Sequence, residues 1–464
     1  MSNAIFFTWN EIQTVTRGKW LLEPTGPGAT CVLDDSRKVQ RGALFMAIVG
    51  EIADGHNYLG QAAKAGAGCV CVQREPDAET MAVLRETSCG CLLVENSLTA
   101  FQLIAKANRR RYPHLPLLAV TGSCGKTSTK EMCAAVLSAR WPGKVLKTEG
   151  NTNNHFGVPR NLLRINEETA AAVIEAGSNH PGEIASLGKI IEPVSSVITC
   201  IGAAHLEFFK DFNGVAEEKG DILEASSPEG VAIIPADCVG LDILKRHAGN
   251  RRIITFGLSD KADVQSIYGG MAEGGYRLTL IRHDTGEQAS FIWPIGGEAQ
   301  AGNAAAAAAA GIAFGLSLVE ISEGLKNCSL PGARMAQSDV DGVHWVNDAY
   351  NANPSSMLAS LKWFQEVSKD APRRYIVMGD MRELGEAGDK NHKELLETAL
   401  QMFSKPTDKV ITVGTIFAAY SRKLGVECYD NVEEASSRKY EEGSWVFLKA
   451  SLGTGLYKLA PAVK

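Results

Sequence analysis

The chain has no surplus of positive charge and no long apolar run. Lys and Arg number 47 against 53 Asp and Glu, a formal net charge of −6 at pH 7. That excludes a broad electrostatic footprint for nucleic acid. The one concentrated basic run, Arg109-Arg110-Arg111, closes a helical pattern where cations complement the dipole, so it reads as a solvated helix end. The longest apolar stretch, Ala304 to Val319, is mostly Ala and Gly, too short and too weakly apolar to cross a bilayer. No membrane insertion is expected. The 11 cysteines are scattered and show no C-x-x-C spacing. Cys69/Cys71 and Cys89/Cys91 lie in apolar strand-like runs, where alternation puts both members of a pair on one face. With no secretory signal at the N-terminus, reduced buried thiols and a cytoplasmic location are expected. Low-complexity segments and fixed-period repeats are absent.

What is there is ordinary in composition and modular in pattern. At 464 residues the chain exceeds what one hydrophobic core usually supports, and 45% hydrophobic with 22% charged residues suits a soluble globular protein. Residues 1–112 carry short strands (29–33, 43–49, 68–72, 91–94) and helices (57–65, 99–111), and Tyr112-Pro113-His114-Leu115-Pro116 reads as a linker. Residues 113–328 alternate strands (171–174, 196–200, 231–234, 253–256) with helices, which predicts a parallel sheet wrapped by helices, with an antiparallel hairpin around Asp284-Thr285-Gly286. Residues 329–464 alternate again, as a second doubly wound unit. The expected class is α/β in three domains: an N-terminal one, a central P-loop parallel-sheet ATPase domain and a C-terminal Rossmann-like domain.

The most informative stretch is Leu117-Leu118-Ala119-Val120-Thr121-Gly122-Ser123-Cys124-Gly125-Lys126-Thr127. An apolar strand enters a tight glycine turn, and a helix opens behind it. The glycines let backbone N–H groups approach phosphate oxygens, and the helix N-terminus adds partial positive charge. Lys126 is placed to reach the terminal phosphates, and the Thr127 hydroxyl to ligate a nucleotide-borne magnesium ion. The spacing is unusual, since two residues separate Gly122 from Gly125 where the general pattern has four. An ordinary strand-to-helix turn is the alternative.

Ligands of doubly wound domains collect at the carboxyl ends of strands. Glu175 stands just beyond the run 171–174, and His205 a few residues past 196–200. With Thr127 they are candidates to converge as magnesium ligands, since hydroxyl and carboxylate oxygens suit that ion and imidazole is tolerated. Each has a plainer alternative: Glu175 as a helix cap, His205 as a loop histidine.

These residues reach a family. Thr121-Gly-Ser-Cys-Gly-Lys-Thr127 resembles the short loop of the Mur ligases, the ATP-dependent amide-forming enzymes of peptidoglycan precursor synthesis. Asp35-Ser36-Arg37, Gly150-Asn-Thr-Asn-Asn-His-Phe-Gly-Val-Pro159, Glu175-Ala-Gly-Ser-Asn-His-Pro-Gly-Glu-Ile184, Gly202-Ala-Ala-His-Leu-Glu207, Asp348-Ala-Tyr-Asn-Ala-Asn-Pro-Ser-Ser-Met357 and Met378-Gly-Asp-Met-Arg-Glu-Leu-Gly385 are similar, in chain order, to signatures of one branch. That branch joins D-Ala-D-Ala to UDP-N-acetylmuramoyl-tripeptide.

The resemblance implies that residues 1–112 bind the UDP substrate, 113–328 bind ATP, and the reaction runs through an acyl phosphate. Lys126, Glu175, His205 and Lys219 would be catalytic. ATP would contact Gly122, Ser123, Gly125, Lys126, Thr127, Ser128, Asn303, Arg334 and Asp348. Ser36 and Arg37 would take the UDP portion, Asn153, Asn154 and His155 the acceptor's reacting end, and Asn351 the dipeptide or ATP. Two Mg2+ ions would be held by Thr127, Glu175, His205 and Lys219, the last as a CO2-derived carbamate. By itself, Lys219 among Glu217, Glu218 and Asp221 reads as a helix-surface ion-pair group. A monomer is expected.

Two places depart from the family pattern. Ala299 stands where a His is usual, and Lys449-Ala450-Ser451-Leu452 replaces Lys-Gly-Ser-Arg. Three rival readings follow: another Mur branch with a different acceptor or amine, a folylpolyglutamate synthetase-like ligase, and a non-catalytic scaffold. The N-terminal block argues against the second. The intact set of Lys126, Thr127, Glu175, His205 and Lys219 argues against the third.

Overall fold

The computed structural model describes residues 6–202, 206–385 and 388–461. By its contacts the chain forms two compact units. One takes in the N-terminal residues to Leu115 with Asn151–Thr169 and Ser186–Glu192; the other takes in Pro116–Gly150, Ala170–Ala185 and Pro193–Lys464.

In the first unit a five-stranded sheet runs Lys19–Leu22, Gly90–Leu93, Cys69–Val72, Leu44–Met46, Val32–Leu33, antiparallel only at its first pairing. The 29–33 run, expected as one strand, is two. Gly28–Ala29 leaves the sheet to pair with Phe7–Thr8, which buries Phe7, and Val32–Leu33 joins Leu44–Met46. The cysteine alternation holds: Cys69 and Cys71 enter one core cluster, Cys89 and Cys91 another. The arginine run is not a solvated helix end. Arg109 is 4% exposed and donates to the Tyr112 and Glu192 carbonyls, Arg110 forks Glu192, and Arg111 lies over the Phe7 ring and pairs with Glu11. Periodicity gave the helix its end but not these partners.

The second unit holds two sheets. The larger has nine strands in the order Glu287–Trp293, Gly275–Arg282, Val264–Ala272, Arg252–Gly257, Val231–Pro235, Ser195–Ile198, Leu117–Thr121, Ala171–Glu175, Val145–Lys147. Its pairings from Val145–Lys147 through to Val264–Ala272 are parallel, and the expected hairpin extends it antiparallel. Leu117–Thr121 is wholly buried between neighbours, as continuous apolar strands of parallel sheets are. The alanine-rich segment is the buried helix Glu298–Ala313, packed on helix Lys126–Arg140, where small side chains permit close approach. The smaller sheet runs Ala336–Val340, Val343–Asn347, Trp445–Lys449, Arg374–Gly379, Asp408–Val413, Glu427–Tyr429, parallel except at its first pairing. Among the described residues, no helix is long and apolar enough to cross a membrane.

Candidate active site

The glycine turn follows Leu117–Thr121 and leads into helix Lys126–Arg140. Gly125 caps that helix at φ 78°, in the left-handed region, and a Cβ there would meet Asn303 Oδ1 at 2.6 Å. Gly122, at φ 143°, abuts Thr199. Both positions demand glycine for conformation and for space. The loop is tied to the end of the adjacent strand: Ser123 N donates to Cys200 O at 3.0 Å, and Ser123 Oγ donates to Gly202 O at 3.1 Å. Lys126 Nζ folds back onto the loop and donates to Gly122 O at 2.8 Å. Thr127 and Ser128 are buried in the first helical turn.

Thr127 Oγ1 lies 3.3 Å from Glu175 Oε1, so the first turn of one helix and the end of the neighbouring strand deliver the hydroxyl and carboxylate to one place. Glu175 is fully buried, and its N–H donates to Thr148 Oγ1 at 2.9 Å. Sequence reasoning missed Lys130, one turn beyond Lys126. Its ammonium is fully buried, donates to Thr148 O at 2.9 Å, pairs with Glu131 at 3.0 Å and stands 3.9 Å from Glu175. A signal existed: Lys126 and Lys130 fall on one helix face, four residues apart. His205 lies outside the described residues.

Lys219 is not the helix-surface lysine its acidic neighbours suggest. It is 1% exposed on helix Phe212–Glu224, and Nζ donates to Ser178 Oγ at 2.7 Å, just past the strand that carries Glu175. Glu217 instead pairs with Arg246 and His247, and Glu218 accepts from the N–H groups of Gly182 and Ile184. Burial, then the charge of Lys126, lowers the Lys219 ammonium to about 7.

Asn303 sits over the loop, accepting from Thr129 Oγ1 at 3.2 Å. Arg334 stacks on the Tyr350 ring at 3.8 Å and donates to Pro331 O. Both oxygens of buried Asp348 are engaged within the chain, by Met335 N at 3.1 Å, Ser360 Oγ at 2.6 Å and Lys449 Nζ at 2.6 Å. Asn351 offers its carbonyl to Lys449 Nζ at 3.2 Å. Of the two departures, Ala299 is exposed in the first turn of its helix. Beside Leu452 a guanidinium is nonetheless present, because Arg382 Nη2 donates to Gly453 O at 3.0 Å.

In the other unit, Ser36 Oγ donates to Gln61 Oε1 at 3.3 Å, and exposed Arg37 forks the Asp35 carboxylate at 2.9 Å. That guanidinium holds the Asp35 carboxyl down at about 2. Asn153 donates to Asn151, and Asn154 Oδ1 accepts from Phe156 N and Gly157 N, fixing the entry to helix Gly157–Leu162. The His155 ring lies against Phe156.

Known proteins share this fold and domain order. Three Mur ligase models match in order: the catalytic domain over residues 30–121, the middle domain over 120–311 and the glutamate ligase domain over 333–452. UDP-N-acetylmuramoyl-tripeptide–D-alanyl-D-alanine ligase of Bacillus subtilis is 33% identical over 441 residues, covering 92% of each chain. A crystal structure of MurF from Acinetobacter baumannii superposes with a TM-score of 0.86 at 29% identity, over 98% of this chain and 97% of that one. MurF from Thermotoga maritima, solved in complex with ADP, gives 0.77 at 25% identity over 92% and 96%. With the short phosphate loop, the Thr127–Glu175 pair and the buried Lys219 in place, the chain belongs to the Mur ligase family, in its MurF branch.

Proposed function

We propose that this chain is the ATP-dependent ligase that joins D-Ala-D-Ala to UDP-N-acetylmuramoyl-tripeptide in the cytoplasm, giving the UDP-linked pentapeptide of peptidoglycan synthesis. A carboxylate oxygen of the tripeptide attacks the terminal phosphorus of ATP, the bond to ADP breaks, and an acyl phosphate forms. The amine of D-Ala-D-Ala then attacks the acyl carbon. It loses a proton, and phosphate leaves as the amide forms. Lys126 exchanges its bond to Gly122 O for the oxygens of the moving phosphoryl group, whose charge it neutralises.

The oxygen donors Thr127 and Glu175, 3.3 Å apart, fit a hard divalent cation. They would hold a magnesium ion with His205, and a second would lie by Lys219; bound there, the ions supply positive charge to phosphate and carboxylate oxygens. The observation that carries the reading is the burial of Lys219 on Ser178. An ammonium lowered to about 7 leaves about half of the lysine as free amine at neutral pH. It can add CO2, forming an N–C bond and releasing a proton, and so become an anion. A plain phosphate-loop hydrolase has no use for such a group there.

Asn303, Arg334 and Asp348 serve the nucleotide, Arg334 and Asp348 through the turn at Met335. Ser36 and Arg37 take the UDP diphosphate, for which a planar fork is suited. Asn153, Asn154 and His155 attend the acceptor's reacting end, and Asn351 the dipeptide or ATP. Domain boundaries near 112 and 328 would divide the chain between these tasks, and one chain supplies every named group, so a monomer suffices. The test is phosphate release from ATP with magnesium, UDP-muramoyl-tripeptide and D-Ala-D-Ala, each omitted in turn. Release that needs all components, with UDP-muramoyl-pentapeptide seen by mass spectrometry, supports the reading. Release that does not need the dipeptide overturns it.

A further inference from the structure

Two thiols meet where the phosphate loop abuts the end of the adjacent strand. Cys124 Sγ lies 2.9 Å from Cys200 Sγ, and the backbones carrying them are joined by the bond from Ser123 N to Cys200 O at 3.0 Å. A disulfide has an S–S distance of about 2.05 Å, so the gap to close is about 0.9 Å between sulfurs already directed at each other. Both residues are partly exposed. Six other cysteines (Cys69, Cys71, Cys89, Cys91, Cys133 and Cys328) are buried, and burial pushes their thiols up, out of reach of ready oxidation.

We propose that Cys124 and Cys200 form a redox-sensitive dithiol whose oxidation to a disulfide pins the phosphate loop and closes it to nucleotide. The inference rests on the loop being the ATP site. The oxidant class is a hydroperoxide. The Cys200 thiolate attacks a peroxide oxygen, the O–O bond breaks, and the departing oxygen leaves as water after taking a proton. The resulting sulfenic acid is attacked by Cys124 sulfur, an S–S bond forms, and a second water leaves. Two thiols lose two hydrogens, and hydrogen peroxide becomes two waters. Cys200 is suited to act first. The hydrogen bond from Cys124 lowers its thiol to about 7, and Lys126 adds a favourable charge.

The effect on nucleotide follows from where Cys124's backbone points. Its N–H, one of the donors a phosphate would need, is directed at Cys200 Sγ at 3.3 Å, and its carbonyl accepts from Thr199 Oγ1. Cross-linking the sulfurs fixes that orientation. Nucleotide binding and disulfide formation then oppose each other, and by linkage each weakens the other equally.

The full-length chain is treated with hydrogen peroxide, its remaining thiols alkylated and its peptides mapped, while ADP binding is titrated before and after. Expected are a Cys124–Cys200 linked peptide lacking two hydrogens, ADP affinity reduced by about tenfold or more, recovery with dithiothreitol, and slower linkage when Mg-ADP is present. Cys200→Ser is expected to keep its ADP affinity through the same treatment. Should that variant fold poorly, the peptide map and dithiothreitol recovery of the natural chain still decide. A linked chain that binds ADP as before, or an oxidised chain with both thiols still alkylated, overturns the switch. A reduced natural chain that binds no ADP instead overturns the reading of the loop.

Discussion

Lys219 Nζ and Ser178 Oγ, 41 positions apart in sequence, lie 2.7 Å apart in a buried pair, while the acidic neighbours that should have claimed the lysine are engaged elsewhere. If the lysine works as a carbamate, removing its nitrogen removes an anion rather than a cation. We expect Lys219→Ala to lack ligase turnover and to regain part of it with an added small carboxylate such as acetate. Full activity without additive would remove the carbamate from the mechanism. Ser178→Ala is expected to leave the fold intact and lower carbamate occupancy.

The pH dependence has a definite sign. CO2 adds to the neutral amine, and burial with the Lys126 charge lowers the Lys219 ammonium to about 7. At fixed dissolved CO2, carbamate occupancy therefore rises with pH, most steeply below about 7, where the ammonium must also lose its proton. Above about 7 it rises less steeply, because only the proton released on CO2 addition counts. The 13C signal of labelled carbamate, followed over about pH 6 to 9, measures it directly. Lys126→Ala withdraws a like charge, so the pH at which the slope changes moves upward. An unmoved change of slope would show that Lys126 does not act on Lys219 electrostatically.

Lys126 is also the direct test of phosphoryl transfer. We expect Lys126→Ala to lose ligase turnover by about 10³-fold or more, the scale seen when a cation on the transferring phosphoryl is removed. Phosphate-release assays report it. Near-normal turnover would take the loop out of the chemistry.

Much of this was legible in the sequence. The phosphate loop, Glu175 and the alternating strands follow from local signals: a glycine turn, an apolar strand, a polar residue at its end. Lys219 was legible as a position but not as an environment, because the charges beside it in sequence point to a surface and only the packing of Ser178 and Glu218 shows otherwise. The same holds for Arg109, whose burial depends on Glu192, 83 positions away. Lys130 and the Cys124–Cys200 contact also join distant segments. Periodicity carries no information about such pairs.

Gly125 tests whether the loop's shape matters apart from its charges. Its φ of 78° costs a residue with Cβ about 1–2 kcal/mol, and the added methyl would also press on Asn303 Oδ1 at 2.6 Å. Gly125→Ala is therefore expected to weaken ADP binding. Adding Asn303→Ala removes the clash but not the backbone strain, so the double variant recovers part of what the glycine change alone lost. Isothermal titration of the parent, both single variants and the double variant gives the coupling. Unchanged affinity in Gly125→Ala would show that the loop does not need its left-handed cap.

The smaller sheet carries its own test. Arg374 and Asp408 are register partners on adjacent parallel strands, and their side chains are almost wholly buried, at 4% and 1% exposure. The guanidinium forks the carboxylate, with Nε to Oδ1 at 2.8 Å and Nη2 to Oδ2 at 2.6 Å. Removing one partner leaves an uncompensated buried charge, which costs about 3–5 kcal/mol. Removing both restores neutrality, so Arg374→Met with Asp408→Leu should recover most of the loss. Because a chain of several domains need not unfold in one step, hydrogen exchange of strands Arg374–Gly379 and Asp408–Val413 is the cleaner readout. Asp408→Ala should expose both strands to exchange well before those of the nine-stranded sheet. A double variant that exchanges as fast as Asp408→Ala would mean the strands depend on the pair's hydrogen bonds and not on charge balance.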